Sequence, residues 1–184
     1  MAATAAAAAA LLLATLACLR AMGRPLAWGC GSRWPWTFDA WSRHTSQHLL
    51  DPYSLTHVLH GLLAYAATWA LLRRRVGLRG RFLVGLALEG GWELLENTEW
   101  VVRTYRANTG ALGYAGDTAL NSLGDLVSCT VGFWLARGLS LRGALLFFFA
   151  VEATLLATAR DSLLLNVLLL VAPLKGVRAW QAGG

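Results

Sequence analysis

From Ser54 onward the chain is a succession of apolar runs joined by short loops, several of them arginine-bearing. No other feature narrows the fold so far. Hydrocarbon offers the backbone no hydrogen-bond partners, so a chain that enters it repeatedly must form helices or a closed barrel. The runs lie near the ~20 residues a spanning helix needs and well above the length of a barrel strand. They cover Ser54 to Leu72, Phe82 to Val102, Thr118 to Ala136 and Ala144 to Ala159. A shorter stretch, "SLLLNVLLLVAPL", starts at Ser162 and is closed by Pro173, which fits poorly inside a helix. The composition agrees: 57% of residues are hydrophobic, 14% are charged and the mean hydropathy is +0.50. A soluble domain carries roughly 25% charged residues.

The N-terminal "AATAAAAAALLLATLACLRAMG" lacks the basic start of a signal peptide and reads as a retained first span. The expected fold is therefore an all-α, polytopic transmembrane helix bundle of about six membrane segments, the last one short. Its parts are a first span over 1–22, a tryptophan-rich loop over 23–53, a helix bundle over 54–174 and a tail over 175–184. Trp28, Trp34, Trp36 and Trp41 place the loop against lipid headgroups.

The net charge of +6 does not point to nucleic acid, because the basic residues sit in short loops and there is little soluble surface to carry such a site. The same residues set orientation. Arg73, Arg74, Arg75, Arg79, Arg81, Arg137, Arg142, Lys175 and Arg178 fall on one side, nine against seven on the other. The dense arginine loop between the second and third spans makes that side cytoplasmic, with both termini there and the tryptophan loop outside. Cys18, Cys30 and Cys129 have no zinc-ligand spacing, and a Cys18–Cys30 disulfide has little to support it.

Against this apolar background, "EGGWELLENTEW" is costly, and its acidic residues must face something other than lipid. Glu89, Glu93 and Glu96 are spaced i, i+4, i+7 and share a helix face, with Asn97 beside them. Asp117, Asn121 and Asp125 form a second stripe at the start of the fourth span, and His57 and His60 a third at the start of the second. Starts of even spans and ends of odd spans lie on the same side, so these stripes share the outer half of the membrane. Arg103, Arg106, Arg160, Asp161 and Asn166 join them there.

Several chemistries fit. His57, His60, Glu93, Asp117 and Asp125 could bind a divalent metal, since bundle-core centres use carboxylates and histidines from facing helices. Glu93, Glu96 and Asp125 would then be the catalytic carboxylates of a metal-assisted hydrolase or transferase acting on a lipid or envelope substrate. A proton- or ion-coupled transporter is the alternative. Structural helix tying is another, and headgroup binding through Arg103 or Arg160 a further one. Ser122 and Ser128 lie near Asp125, but no GxSxG elbow accompanies them. Oligomeric state is not legible.

The strings "SQHLLDPYSLTHVLHGLLAY", "EGGWELLENTEWVVRTYRANTGALGYAGDTALNSLGD" and "ARDSLLLNVLLLVAPLKGVRAWQAG" resemble a family of uncharacterised multi-pass inner-membrane proteins found mainly in alphaproteobacteria. The resemblance runs from about Gly31 to the C-terminus. It implies an integral membrane protein and carries over no catalytic residue.

Overall fold

The computed structural model describes residues 2–29, 31–32, 34–110 and 113–183. Cys30 and Arg33, which entered the disulfide and charge readings, lie outside them. The described residues form eight helices, α1 (Ala2–Ala21), α2 (Ser54–Leu72), α3 (Leu78–Glu96), α4 (Glu99–Asn108), α5 (Ala119–Gly138), α6 (Leu141–Ala159), α7 (Leu163–Val171) and α8 (Lys175–Gln181). Among those residues the one β-like feature is a single bridge between Trp36 and Leu50 in the tryptophan segment. Helices α1, α2 and α6 are long and apolar enough to cross a membrane. Their outward side chains, among them Leu13, Leu63, Leu71, Leu146 and Phe149, are exposed, as lipid-facing residues are.

The charge-bearing α3 and α5 pack among these three helices. The tightest seam joins α2 to α5, and glycine makes it possible. A Cβ on Gly61 would stand 2.1 Å from the Cys129 carbonyl oxygen, and one on Gly132 would stand 1.9 Å from that of Val58. Small residues that let backbones touch are the usual device where lipid removes the hydrophobic drive to associate. On the arginine-rich side Phe82, Leu86, Leu126 and Phe133 close the core, with Leu11 and Leu12 of α1 packed on them. A second cluster, Leu59, Val151, Leu155 and Leu163, joins α2, α6 and α7.

Two elements depart from expectation. The third span starts earlier and stops at Glu96 instead of running to Val102. The side chain of Asn97 is committed to Asp117, donating at 2.8 Å, and Thr98 takes an extended backbone whose hydroxyl caps a new helix by accepting from the Val101 N–H. The new helix, α4, buries Val101, Val102 and Tyr105 and leaves Glu99, Arg103 and Arg106 exposed. The other departure is at the C-terminus. At ~1.5 Å per residue, the nine residues of α7 cannot cross a ~30 Å core. Asn108 at the end of α4 donates to the Leu169 carbonyl, and the Gln181 side chain at the end of α8 donates to Asp161 and accepts from the Gly110 N–H. The α7–α8 hairpin thus begins and ends on the tryptophan side, and residues 175–183 do not emerge among the arginine loops.

Candidate functional site

The beginnings of α2 and α5, the ends of α3 and α6, and helices α4, α7 and α8 meet under the tryptophan segment around a cavity of about 720 Å³. Its polar wall carries Asp51, His57, Glu96, Asp117, Asp125 and Asp161. Its apolar wall carries Trp28, Trp41, Trp92, Leu163, Val167 and Leu170. Trp28 stacks on buried His48 with ring centroids 4.5 Å apart, which pins the tryptophan segment over the opening.

His57 is the hub. Its Nδ1 lies 2.6 Å from Glu89 and 3.4 Å from Glu93, and its Nε2 lies 3.8 Å from Asp125. His60 Nδ1 is 3.1 Å from Glu89, and Trp92 packs edge-on against the His60 ring. Two sets of donors are close enough to share an ion, His57–His60–Glu89 and His57–Glu93–Glu96. Glu93 stands apart from its neighbours: it is 0% exposed, and neither carboxylate oxygen accepts a hydrogen bond. Buried charge of that kind is rare unless something balances it.

Of the metal ligands expected from sequence, His57, His60, Glu93 and Asp125 converge. Asp125 stands beside His57 but, like Asp117, belongs to neither ion-sized set. Asp117 precedes α5 and forms a reciprocal pair with Asn97, its own N–H donating to Asn97 Oδ1 at 2.8 Å, while Tyr114 donates to its carboxylate. Burial holds the Asp117 carboxyl above its ordinary value, and the Asn97 hydrogen bond opposes that rise. Asn121 donates to the His48 carbonyl and ties α5 to the tryptophan segment. Asp161 and Asn166 line the cavity and are hydrogen-bonded to each other. Tyr53 also donates to Asp161, and burial pushes the Asp161 carboxyl up to about 6.

The three arginines do not join the cluster. Arg103 pairs with Glu99 on the exposed face of α4, Arg106 is exposed, and Arg160 donates to the Trp180 carbonyl at the rim. The break after α3 turns the first two away. Ser122 and Ser128 are buried outside the cavity wall, and Ser128 donates back to the Gly124 carbonyl.

Four contributors escaped the sequence reading. Glu89 was seen on the right face, but its partnership with both histidines needs the α2–α3 contact. Ser54 donates to Asp125 at 3.0 Å. Tyr105 and Tyr114 line the cavity from segments that read as span end and loop. Their only signal was aromatic residues with hydroxyls beside an acidic stretch.

Comparison with known proteins gives a family. A family described as "Protein of unknown function (DUF2585)" matches residues 19–183. The chain is 39% identical over 161 residues to a UPF0314 protein of Paracoccus denitrificans, covering 88% of this chain and 83% of that one. It is 37% identical over 178 residues to a UPF0314 protein of Sphingopyxis alaskensis, covering 96% and 94%. A UPF0314 protein of Rhizobium meliloti is 40% identical over 162 residues, covering 88% and 82%. No solved structure matches significantly.

Proposed function

This chain belongs to the DUF2585 family, and from the geometry of its site we propose that it is a metal-dependent hydrolase or transferase of the inner membrane, acting on a lipid or another envelope substrate. One observation carries the reading: His57, His60 and Glu89 hold their donor atoms within ion-binding distance of one another beside a half-apolar cavity in the membrane domain. Donors around one tetrahedral ion with bonds of 2.0–2.1 Å stand roughly 3.3 Å apart. The 2.6 Å and 3.1 Å contacts here need only a small opening to admit one.

A divalent ion held by His57, His60 and Glu89 would lower the pKa of its water towards neutrality and so supply hydroxide. Asp125 faces the cavity, is fixed by Ser54, and stands beside His57. It is the group to take the proton from that water. As the water oxygen bonds to the acyl or phosphoryl centre of an ester and the ester bond breaks, Asp125 would return the proton to the departing alkoxide. One water is consumed. Transfer differs only in the acceptor, an alcohol in place of water. The apolar wall of tryptophans and α7 leucines suits a lipid chain, and the polar floor suits a headgroup.

Detergent-purified protein tests the proposal by elemental analysis and by mass spectrometry of envelope lipids incubated with it. The expected result is stoichiometric zinc, manganese or iron, and a cleaved or transferred lipid product that His57→Ala and Asp125→Asn abolish while still accumulating in the membrane. A folded, metal-free protein that changes no lipid sinks the reading. Variants that fail to accumulate at all would favour helix tying instead.

A further inference from the structure

We infer that the cluster is built for two divalent cations, the second held by the hard oxygens of Glu93 and Glu96. The inference rests on the metal-site reading above and adds a site to it. One ion at His57, His60 and Glu89 engages three donors and leaves Glu93 unserved. Both oxygens of that side chain are fully buried and accept no hydrogen bond. Among the described residues, the one ionisable partner within ion-pair distance is His57, at 3.4 Å. Glu96, one turn on, completes the second set and opens onto the cavity. An ion of magnesium or manganese type is commonly held by one or two carboxylates and completes its shell with water, which this cavity can supply.

Charge also favours more than one ion. Glu89, Glu93, Glu96 and Asp125 surround His57 and carry four negative charges when ionised. With neutral histidines, one divalent ion leaves two of those charges uncompensated in the interior of a membrane protein. Two ions balance all four. Nor can the arginines do it, since Arg103, Arg106 and Arg160 are exposed away from the cluster. A paired centre would also bridge two oxygens of one substrate, the arrangement that stabilises attacking and leaving oxygens together in phosphoryl transfer. A phosphate ester of an amphipathic alcohol is the substrate class it fits.

Mn²⁺ titration of the metal-stripped, detergent-solubilised protein is the test, read by elemental analysis and electron paramagnetic resonance. The wild type should bind two Mn²⁺ per chain, with a spin-coupled signal. Glu96→Gln should bind one, and so should His60→Ala, each with an uncoupled signal. One Mn²⁺ per wild-type chain overturns the second site and leaves the proposed function standing. None overturns both. Two in Glu96→Gln removes Glu96 from the assignment and overturns the site as drawn. Should the variants not fold, the wild-type stoichiometry alone decides.

Discussion

Glu93 is the residue on which structure and chemistry bear most directly. In the metal-free protein neither oxygen of its buried carboxylate accepts a hydrogen bond, so Glu93→Met, which removes both polar atoms at similar volume, should stabilise that form while weakening the metal-bound one. An unsatisfied buried polar group costs about 1–3 kcal/mol, which corresponds to a melting shift of roughly 2–4 °C per kcal/mol in a chain of this size. Thermal melts of stripped protein should therefore rise by a few degrees in the variant, and added Mn²⁺ should raise them less than in the wild type. A fall in the stripped melt would show Glu93 to be a structural tie. Asp161 gives a pH signature outside the membrane segments. Its carboxyl is pushed from 3.8 up to about 6 by burial, which outweighs the hydrogen bonds from the Ser162 N–H, Tyr53, Asn166 and Gln181. A folded value above the unfolded one means the native state holds the proton more tightly. That stabilisation is complete below 3.8 and is lost as pH rises through about 6. Melts of the wild type should lose that contribution across this window, and Asp161→Asn should flatten the curve there. No change in slope in the variant would remove Asp161 as its cause. Asp161 stood out in the sequence as an acidic residue beside an apolar run. Two of its donors, Tyr53 and Gln181, come from distant parts of the chain and could not be seen there.

The α2–α5 seam decides whether the site exists, because His57 and Asp125 face each other across it. At Gly61 and Gly132 an added Cβ meets backbone oxygens and not the movable end of a side chain. Overpacking of this kind typically costs about 1–3 kcal/mol, and backbone that cannot yield lies at the upper end. Gly61→Ala and Gly132→Ala should each lower the melting temperature and reduce accumulation. Gly91→Ala, which meets nothing within 4 Å, should leave both unchanged or slightly raised. Equal behaviour of all three would mean that the seam is looser than drawn. In the sequence, the helices were legible because apolar runs of that length have few other solutions. The starts of α2 and α5 were read closely, at Ser54 and just after Thr118. The break at Asn97 was not. Its cause is a side-chain pair with Asp117, twenty residues on, and the hydropathy of Trp100–Val102 masks it. Glu152 was missed for the same kind of reason. It lies on α6 and accepts from the Leu163 and Leu164 N–H groups, capping α7 from a neighbouring helix.

At the scale of the whole molecule, the arrangement of helix ends sets which segments lie together. The start of α1 packs near the start of α3, through Ala8, Leu11, Leu12 and Phe82, and so lies with the arginine loop. Positive residues in short loops mark the cytoplasmic side. The far side holds the tryptophan segment, the cavity and α4. The polar stripes were assigned to one level from connectivity alone, and His57, Glu93, Glu96 and Asp125 do meet there, because helix ends alternate sides whatever the detail of packing. The same logic carries the C-terminus to the arginine side, whereas α8 packs at the cavity rim. A sixth pass would carry residues 175–184 to the cytoplasm, yet composition cannot separate a short pass from a hairpin that turns back. The structure supplies the difference in Gln181, which is 2% exposed and bonded to Asp161 and Gly110. We propose five crossings and a returning hairpin, with the N-terminus inside and the C-terminus outside, on the strength of the arginine loop and the docking of α8. Paired reporter fusions check it, using alkaline phosphatase, active only outside, and green fluorescent protein, fluorescent only inside. A fusion after Arg79 should fluoresce, one after Asp39 should show phosphatase activity, and one at Gly183 should behave like Asp39. Fluorescence at Gly183 with phosphatase activity at Asp39 would restore the sixth crossing and detach α8 from the cavity rim. Fluorescence at Asp39 would invert the whole molecule and place the cavity mouth in the cytoplasm, where its substrate would be drawn from the inner leaflet.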